Sequence, residues 1–157
     1  MSRMNLPARP FAASLLIVVA IALLGGVTGC SSFESEYQKA TASTLPAGSI
    51  EGPWFGRWES QAGHGTGPLR AMLTKTGPDT YYARFRAGYW GVFEADEETL
   101  LRVQSTNPVK ASGESDLGYV KGGLYKFDAT ITPNHFDANY QSKDDRGVFI
   151  LARPPVK

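Results

Sequence analysis

Between residues 53 and 152, apolar and polar side chains alternate with period two in one short segment after another. That repeat places successive side chains on opposite faces of an extended backbone, as a half-buried strand requires. In "PWFGRWES", Trp54, Gly56 and Trp58 share one face while Arg57 and Glu59 point away. In "PLRAMLTK", Leu69, Ala71 and Leu73 oppose Arg70, Met72 and Thr74; in "TYYARFRAGY", Tyr81, Ala83, Phe85, Ala87 and Tyr89 oppose Arg84 and Arg86. The same alternation sets Tyr125, Phe127, Ala129 and Ile131 against Lys126, Asp128 and Thr130, and Phe136, Ala138 and Tyr140 against Asp137 and Asn139. In "GVFILAR", Gly147, Phe149 and Leu151 alternate with Val148 and Ile150.

Turn signals at "AGHGTG", "TGPD", "TNP", "SGESD", "TPN" and "SKDDRG" separate these runs. No segment of this region sustains a helical period over three turns. The expected fold class is all-β: a small antiparallel up-and-down barrel or sandwich of about eight strands. The inward positions mix large aromatics with alanine and glycine, which suits a tapering barrel interior. The glycines of "SDLGYVKGGLYKF", Gly118, Gly122 and Gly123, interrupt a strand pattern and read as a barrel corner. The alternative is a pocket mouth, with Tyr82, Tyr119, Gly122, Gly123, Tyr125 and Phe127 as the candidate ligand-facing residues.

"GPWFGRW", Gly52 to Trp58, resembles the first-strand glycine-x-tryptophan signature of lipocalin-type and avidin-type barrels. Together with the late "FILARP" it also resembles bacterial lipoproteins with small all-β domains. The barrel resemblance implies a tryptophan that plugs the closed end and a late arginine packed across it. The plug candidates are Trp54, Trp58 and Arg153, with Arg146 as the second choice of arginine. The expectation is that Trp58 is buried, faces the last strand and carries Arg153; the alternative makes Trp54 the plug and Trp58 a surface aromatic.

The N-terminal segment has a different grammar. Arg3 and Arg9 precede "FAASLLIVVAIALL", a charge-free run of 14 residues from Phe11 to Leu24. This is the layout of a secretory signal, and it is shorter than the ~20 residues a spanning helix needs. Its exit, "VTGC", resembles the lipobox of bacterial lipoproteins, with Val27 at the branched position, Thr28 and Gly29 at the small ones, and Cys30 as the residue acylated after cleavage. Cys30 is the single cysteine of the chain, so the resemblance also accounts for an otherwise unpaired thiol in an oxidising compartment. Acyl chains contribute ~0.8 kcal/mol per buried CH₂, and two or more anchor a protein stably. The expected organisation is a signal peptide over 1–29, a lipidated N-terminus and flexible tether over 30–52, and the β-domain over 53–157. A short helix around Phe33 to Ala42 fits within the tether. The implied location is the cell envelope. Ser31, rather than aspartate, after the cysteine favours the outer membrane facing the periplasm; the outer face of the cytoplasmic membrane is the alternative.

The full chain has 16 Lys and Arg against 15 Asp and Glu. Cleavage before Cys30 would leave 14 against 15, a net charge of −1. The basic residues are spread singly, which argues against nucleic acid as a partner. "GHGTG" is followed by a strand rather than a helix, so it reads as a hairpin loop and not a phosphate cradle. His64 and His135 are the two histidines; with Cys30 acylated they do not make a zinc site by themselves, and no metal or cofactor is expected. "EADEE", Glu94 to Glu98, and "KDDRG", Lys143 to Gly147, read as solvated hairpin ends, with Asp144 and Asp145 shaping a turn. No nucleophile elbow or Ser–His–Asp arrangement is legible.

The expectation for function is a monomeric, non-enzymatic, membrane-anchored domain that binds a small apolar or amphipathic molecule or an envelope protein. A structural or assembly factor with a solidly packed barrel is the second reading, and a hydrolase the third.

Overall fold

A computed structural model of the chain describes residues 32–89, 91, 93–119 and 122–155. Residues 1–29, expected to be a signal peptide, and Cys30 lie outside the described residues. The chain divides into two units, Met1–Glu36 and Tyr37–Lys157, and the second holds the β-structure. The elements are α1 (Ser32–Thr41), β1 (Gly52–Ser60), β2 (Thr66–Gly77), β3 (Thr80–Tyr89), β4 (Phe93–Thr106), β5 (Val109–Asp116), β6 (Leu124–Ile131), β7 (His135–Gln141) and β8 (Arg146–Ala152).

The eight strands form a closed barrel in sequence order, and β1 pairs antiparallel with β8 to complete it. The sandwich alternative is thereby excluded. Closure leaves no free sheet edge to pair with another chain. Every run with a period of two lies within a strand, and its apolar face is the interior: Leu69, Ala71 and Leu73 are buried on β2, Ala83, Phe85 and Ala87 on β3, and Phe127, Ala129 and Ile131 on β6. On one side register sets small against large, with Ala71 between Trp54 and Phe85; on the other, Ala129 lies between Ala111 and Ala138 in a row of small residues. At the β1–β8 seam the strands approach so closely that a β-carbon on Gly56 would run into the carbonyl oxygen of Ile150.

One end of the barrel is shut. Trp54 is fully buried there, edge-on to Phe136 with centroids 5.8 Å apart. The Arg153 guanidinium stacks 3.8 Å from the centre of its ring. Arg153 also donates to the carbonyls of Ser49 (2.6 Å), Glu51 (2.9 Å), Pro53 (3.1 Å) and Pro133 (2.9 Å). Burial lowers the pKa of this arginine, but a guanidinium remains charged in a protein, so cation–π attraction and charge-assisted hydrogen bonds act together.

The structure alters four sequence expectations. The segment 37–51, expected within the tether, is tied to the barrel: Tyr37 donates its hydroxyl to the Trp54 carbonyl at 3.1 Å, Ile50 is buried in the core, and its carbonyl accepts from Trp54 Nε1 at 3.1 Å. Arg153 covers Trp54 and not Trp58. Glu94–Glu98 is not a hairpin end but the body of β4, where Glu94 and Asp96 face outward to the arginines of β2 and β3. Arg70 meets Glu94 at 2.7 Å, and Arg86 holds Asp96 through two hydrogen bonds of 2.6 and 2.7 Å, which keep the Asp96 carboxyl below its usual pKa. Gly118, Gly122 and Gly123 do not kink a strand; they shape the β5–β6 loop, with φ of 77°, 92° and 72° that side-chain-bearing residues avoid.

Candidate functional site

The end opposite Trp54 is framed by residues 61–65, 117–119, 122–123 and 142–145, and it holds a cavity of about 390 Å³. Rings from five strands wall it: Trp58 from β1, Phe85 and Tyr89 from β3, Tyr125 and Phe127 from β6, Tyr140 from β7 and Phe149 from β8. They pack against one another across the interior as well as along the wall. Trp58 lies 4.8 Å from Tyr89, Phe149 lies 5.4 Å from Phe85 and 5.9 Å from Phe127, and Tyr140 is 5.1 Å from Phe149. Ala87 and Ala95 face each other across β3 and β4 and leave the remaining wall low.

Trp58 has room at this end because a glycine stands beside it on β2. Its register partner on β2 is Gly67, where a β-carbon would lie 2.7 Å from the indole nitrogen. That nitrogen donates to the Gly88 carbonyl at 3.0 Å. Trp58 is thus buried, as expected, but as a wall of the cavity and not as the plug.

A polar cluster sits at the rim. β8 begins beside the end of β1, with Gly147 opposite Ser60, so the loops after β1 and before β8 meet. Ser60 donates to Asp145 Oδ1 at 2.7 Å, Tyr140 to Oδ2 at 3.1 Å, and the Arg146 amide to Oδ1 at 2.7 Å. His64 Nδ1 approaches the same carboxylate at 3.5 Å. Ser142 forms the turn beneath it, accepting from the Asp145 amide at 3.0 Å. Glu97 of β4 lines the cavity from the opposite side of the barrel sequence. Burial, with the Asp145 charge adding to it, pushes the Tyr140 phenol well above its ordinary pKa. The Tyr89 phenol is raised by burial, then by Tyr125, Glu97 and Asp145.

Of the candidate mouth residues, Tyr125 and Phe127 line the cavity. Tyr82 lies on the outer face, where a hydrogen bond to Glu98 raises its pKa. Tyr119 is 92% exposed. Gly122 and Gly123 belong to the loop, and a β-carbon on Gly122 would meet the Tyr125 hydroxyl at 3.0 Å. Glu97, Asp145, Ser60 and His64 were not legible as a group, because barrel closure brings them together. Among the described residues no set of three or more His, Cys, Asp and Glu side chains is placed to hold a metal ion.

A second recess of about 420 Å³ lies at the plugged end, under residues 40–49. Its walls are mostly small residues, and its guanidinium, Arg153, already donates to four carbonyls. The aromatic end is therefore the candidate site.

No known protein family matches the chain, and neither does any curated protein or solved structure. The fold and site define a class: a small closed eight-stranded antiparallel barrel, plugged at one end by a tryptophan–arginine pair and hollow and aromatic at the other.

Proposed function

We propose that this protein is a lipid-anchored, lipocalin-like binding protein of the bacterial cell envelope that holds one small apolar or amphipathic molecule in the aromatic end of its barrel. The cavity of about 390 Å³ carries the proposal. It falls within the ~300–1,000 Å³ of small-molecule sites, and such sites combine apolar walls with a few placed polar groups. The lipocalin-like reading draws support from Arg153 lying across a first-strand tryptophan. The anchor rests on "VTGC" after a charge-free run, and the outer membrane facing the periplasm is the favoured location.

Titration with 1-N-phenylnaphthylamine, a neutral apolar fluorophore, tests the binding reading. Saturable, one-to-one fluorescence enhancement is expected. Ala87→Trp, which fills the cavity where β3 is lowest, should abolish it while circular dichroism remains that of a barrel. Non-saturable enhancement, equal in wild type and variant, would favour the packed structural factor instead.

A further inference from the structure

We infer that the molecule held in this cavity is amphipathic and lies in one orientation, with its apolar body inward and a hydrogen-bond-accepting oxygen at the mouth, where the Tyr89 and Tyr125 hydroxyls bind it; this rests on the binding reading above. The inner layer of the cavity is built from three phenylalanines, one each from β3, β6 and β8. Phe85, Phe127 and Phe149 pack in a triangle with centroids 5.4, 5.9 and 6.3 Å apart. Phe85 also meets Phe136, the ring that lies edge-on to Trp54, so the triangle floors the cavity above the plug. None of these side chains carries a polar atom.

The outer layer is phenolic. Tyr89 ends β3, four residues nearer the mouth than Phe85, and Tyr125 precedes Phe127 by two on β6. Tyr140 of β7 lies opposite Gly147, two residues before Phe149 on β8. The Tyr140 hydroxyl is spent on Asp145. Those of Tyr89 and Tyr125 have no hydrogen-bond partner among the described residues. The Tyr125 hydroxyl keeps its place because residue 122 is glycine: a β-carbon there would lie 3.0 Å from it. Burial first, and then Tyr125, Glu97 and Asp145, raise the Tyr89 phenol, so the two phenols lie within electrostatic reach of each other and Tyr89 keeps a proton to donate at neutral pH. A wholly apolar molecule would strip water from both hydroxyls and return nothing. A head oxygen restores the bonds that are lost, which is how a polar site rejects an analogue lacking the matching group.

Competition against bound 1-N-phenylnaphthylamine tests this with two neutral molecules of one shape. The first is 2-acetylnaphthalene; the second is 2-isopropenylnaphthalene, in which a CH₂ group replaces the ketone oxygen. Burial of apolar surface alone favours the hydrocarbon. On the wild-type protein the ketone should nonetheless bind about fivefold more tightly. Tyr89→Phe combined with Tyr125→Phe removes two oxygens and no ring. It should weaken the ketone about fivefold and leave the hydrocarbon within about twofold, whereas a purely structural role for the phenols would weaken both alike. Either single variant reads the same ratio if the double variant unfolds. A hydrocarbon that binds as tightly as the ketone on the wild-type protein, or a ratio unchanged in the folded variants, overturns the orientation and leaves the binding reading intact. If neither molecule nor the fluorophore binds saturably, both readings fall.

Discussion

The Arg153 guanidinium lies 3.8 Å over the indole of Trp54, and neither group reaches Trp58, whose ring packs against Tyr89 at the other end of the barrel. Two tryptophans four residues apart on one strand face thus have separate tasks. Trp54→Ala should cost ~3–5 kcal/mol, as for other buried tryptophans, a large share of the ~5–15 kcal/mol that holds a domain of this size. A double-mutant cycle between Trp54→Ala and Arg153→Ala should show coupling of ~0.5–3 kcal/mol. The cycle between Trp58→Ala and Arg153→Ala should be additive. Denaturant midpoints measure both, and coupling of Arg153 to Trp58 rather than Trp54 would contradict the assignment.

The length of the folding unit follows from the same end of the barrel. A chain beginning at residue 53 lacks Ile50, buried in the core, and the Ser49 and Glu51 carbonyls that accept from Arg153. Burying one isoleucine contributes ~1.5–3 kcal/mol. Residues 37–157 should therefore unfold at a clearly higher denaturant concentration than residues 53–157. Identical midpoints would mean that 37–52 contributes nothing to the fold.

The alternation of side chains made the strands and their inward faces legible, because facing is local and has a period of two. What alternation cannot convey is height along the barrel axis. Phe85, Tyr89, Tyr140 and Phe149 all read as inward, yet their meeting around one cavity depends on the register of strands far apart in sequence. Arg153 shows the same limit and a cue that was missed. In an antiparallel closure the residue just past β8 lies beside the start of β1, with Ala152 opposite Phe55, so Arg153 belongs near Trp54. The Ser60–Asp145–His64 cluster joins two hairpin loops some 80 residues apart in sequence, and nothing local points to it. "EADEE" was misread for the opposite reason: its charges suggested a turn, whereas cross-strand arginines neutralise them on a strand's outer face.

Alkaline pH should loosen the hollow end first. The Tyr140 phenol has a folded pKa raised above its ordinary 10.0, so the folded state holds that proton more tightly than the unfolded chain. The resulting stability is fully present below pH 10 and falls as pH rises further, since the unfolded chain ionises first. Tyr140→Phe should flatten the decline in denaturant midpoint between pH 9 and pH 11. An equally steep decline in the variant would place the responsible proton elsewhere.

The anchor is tested at Cys30. Cys30→Ala should yield uncut precursor that takes up no radiolabelled palmitate, while the wild-type protein is labelled. Equal label on both would remove the lipobox reading, and with it the argument for an envelope location.

The most direct measurement is native mass spectrometry of wild-type protein and Ala87→Trp, purified in parallel from gently solubilised cells. The wild-type protein should carry a single additional small mass, released on denaturation, and the filled variant should lack it. A wild-type mass with no such addition, unchanged after incubation with 1-N-phenylnaphthylamine, would contradict the claim that the aromatic end of the barrel is a binding site.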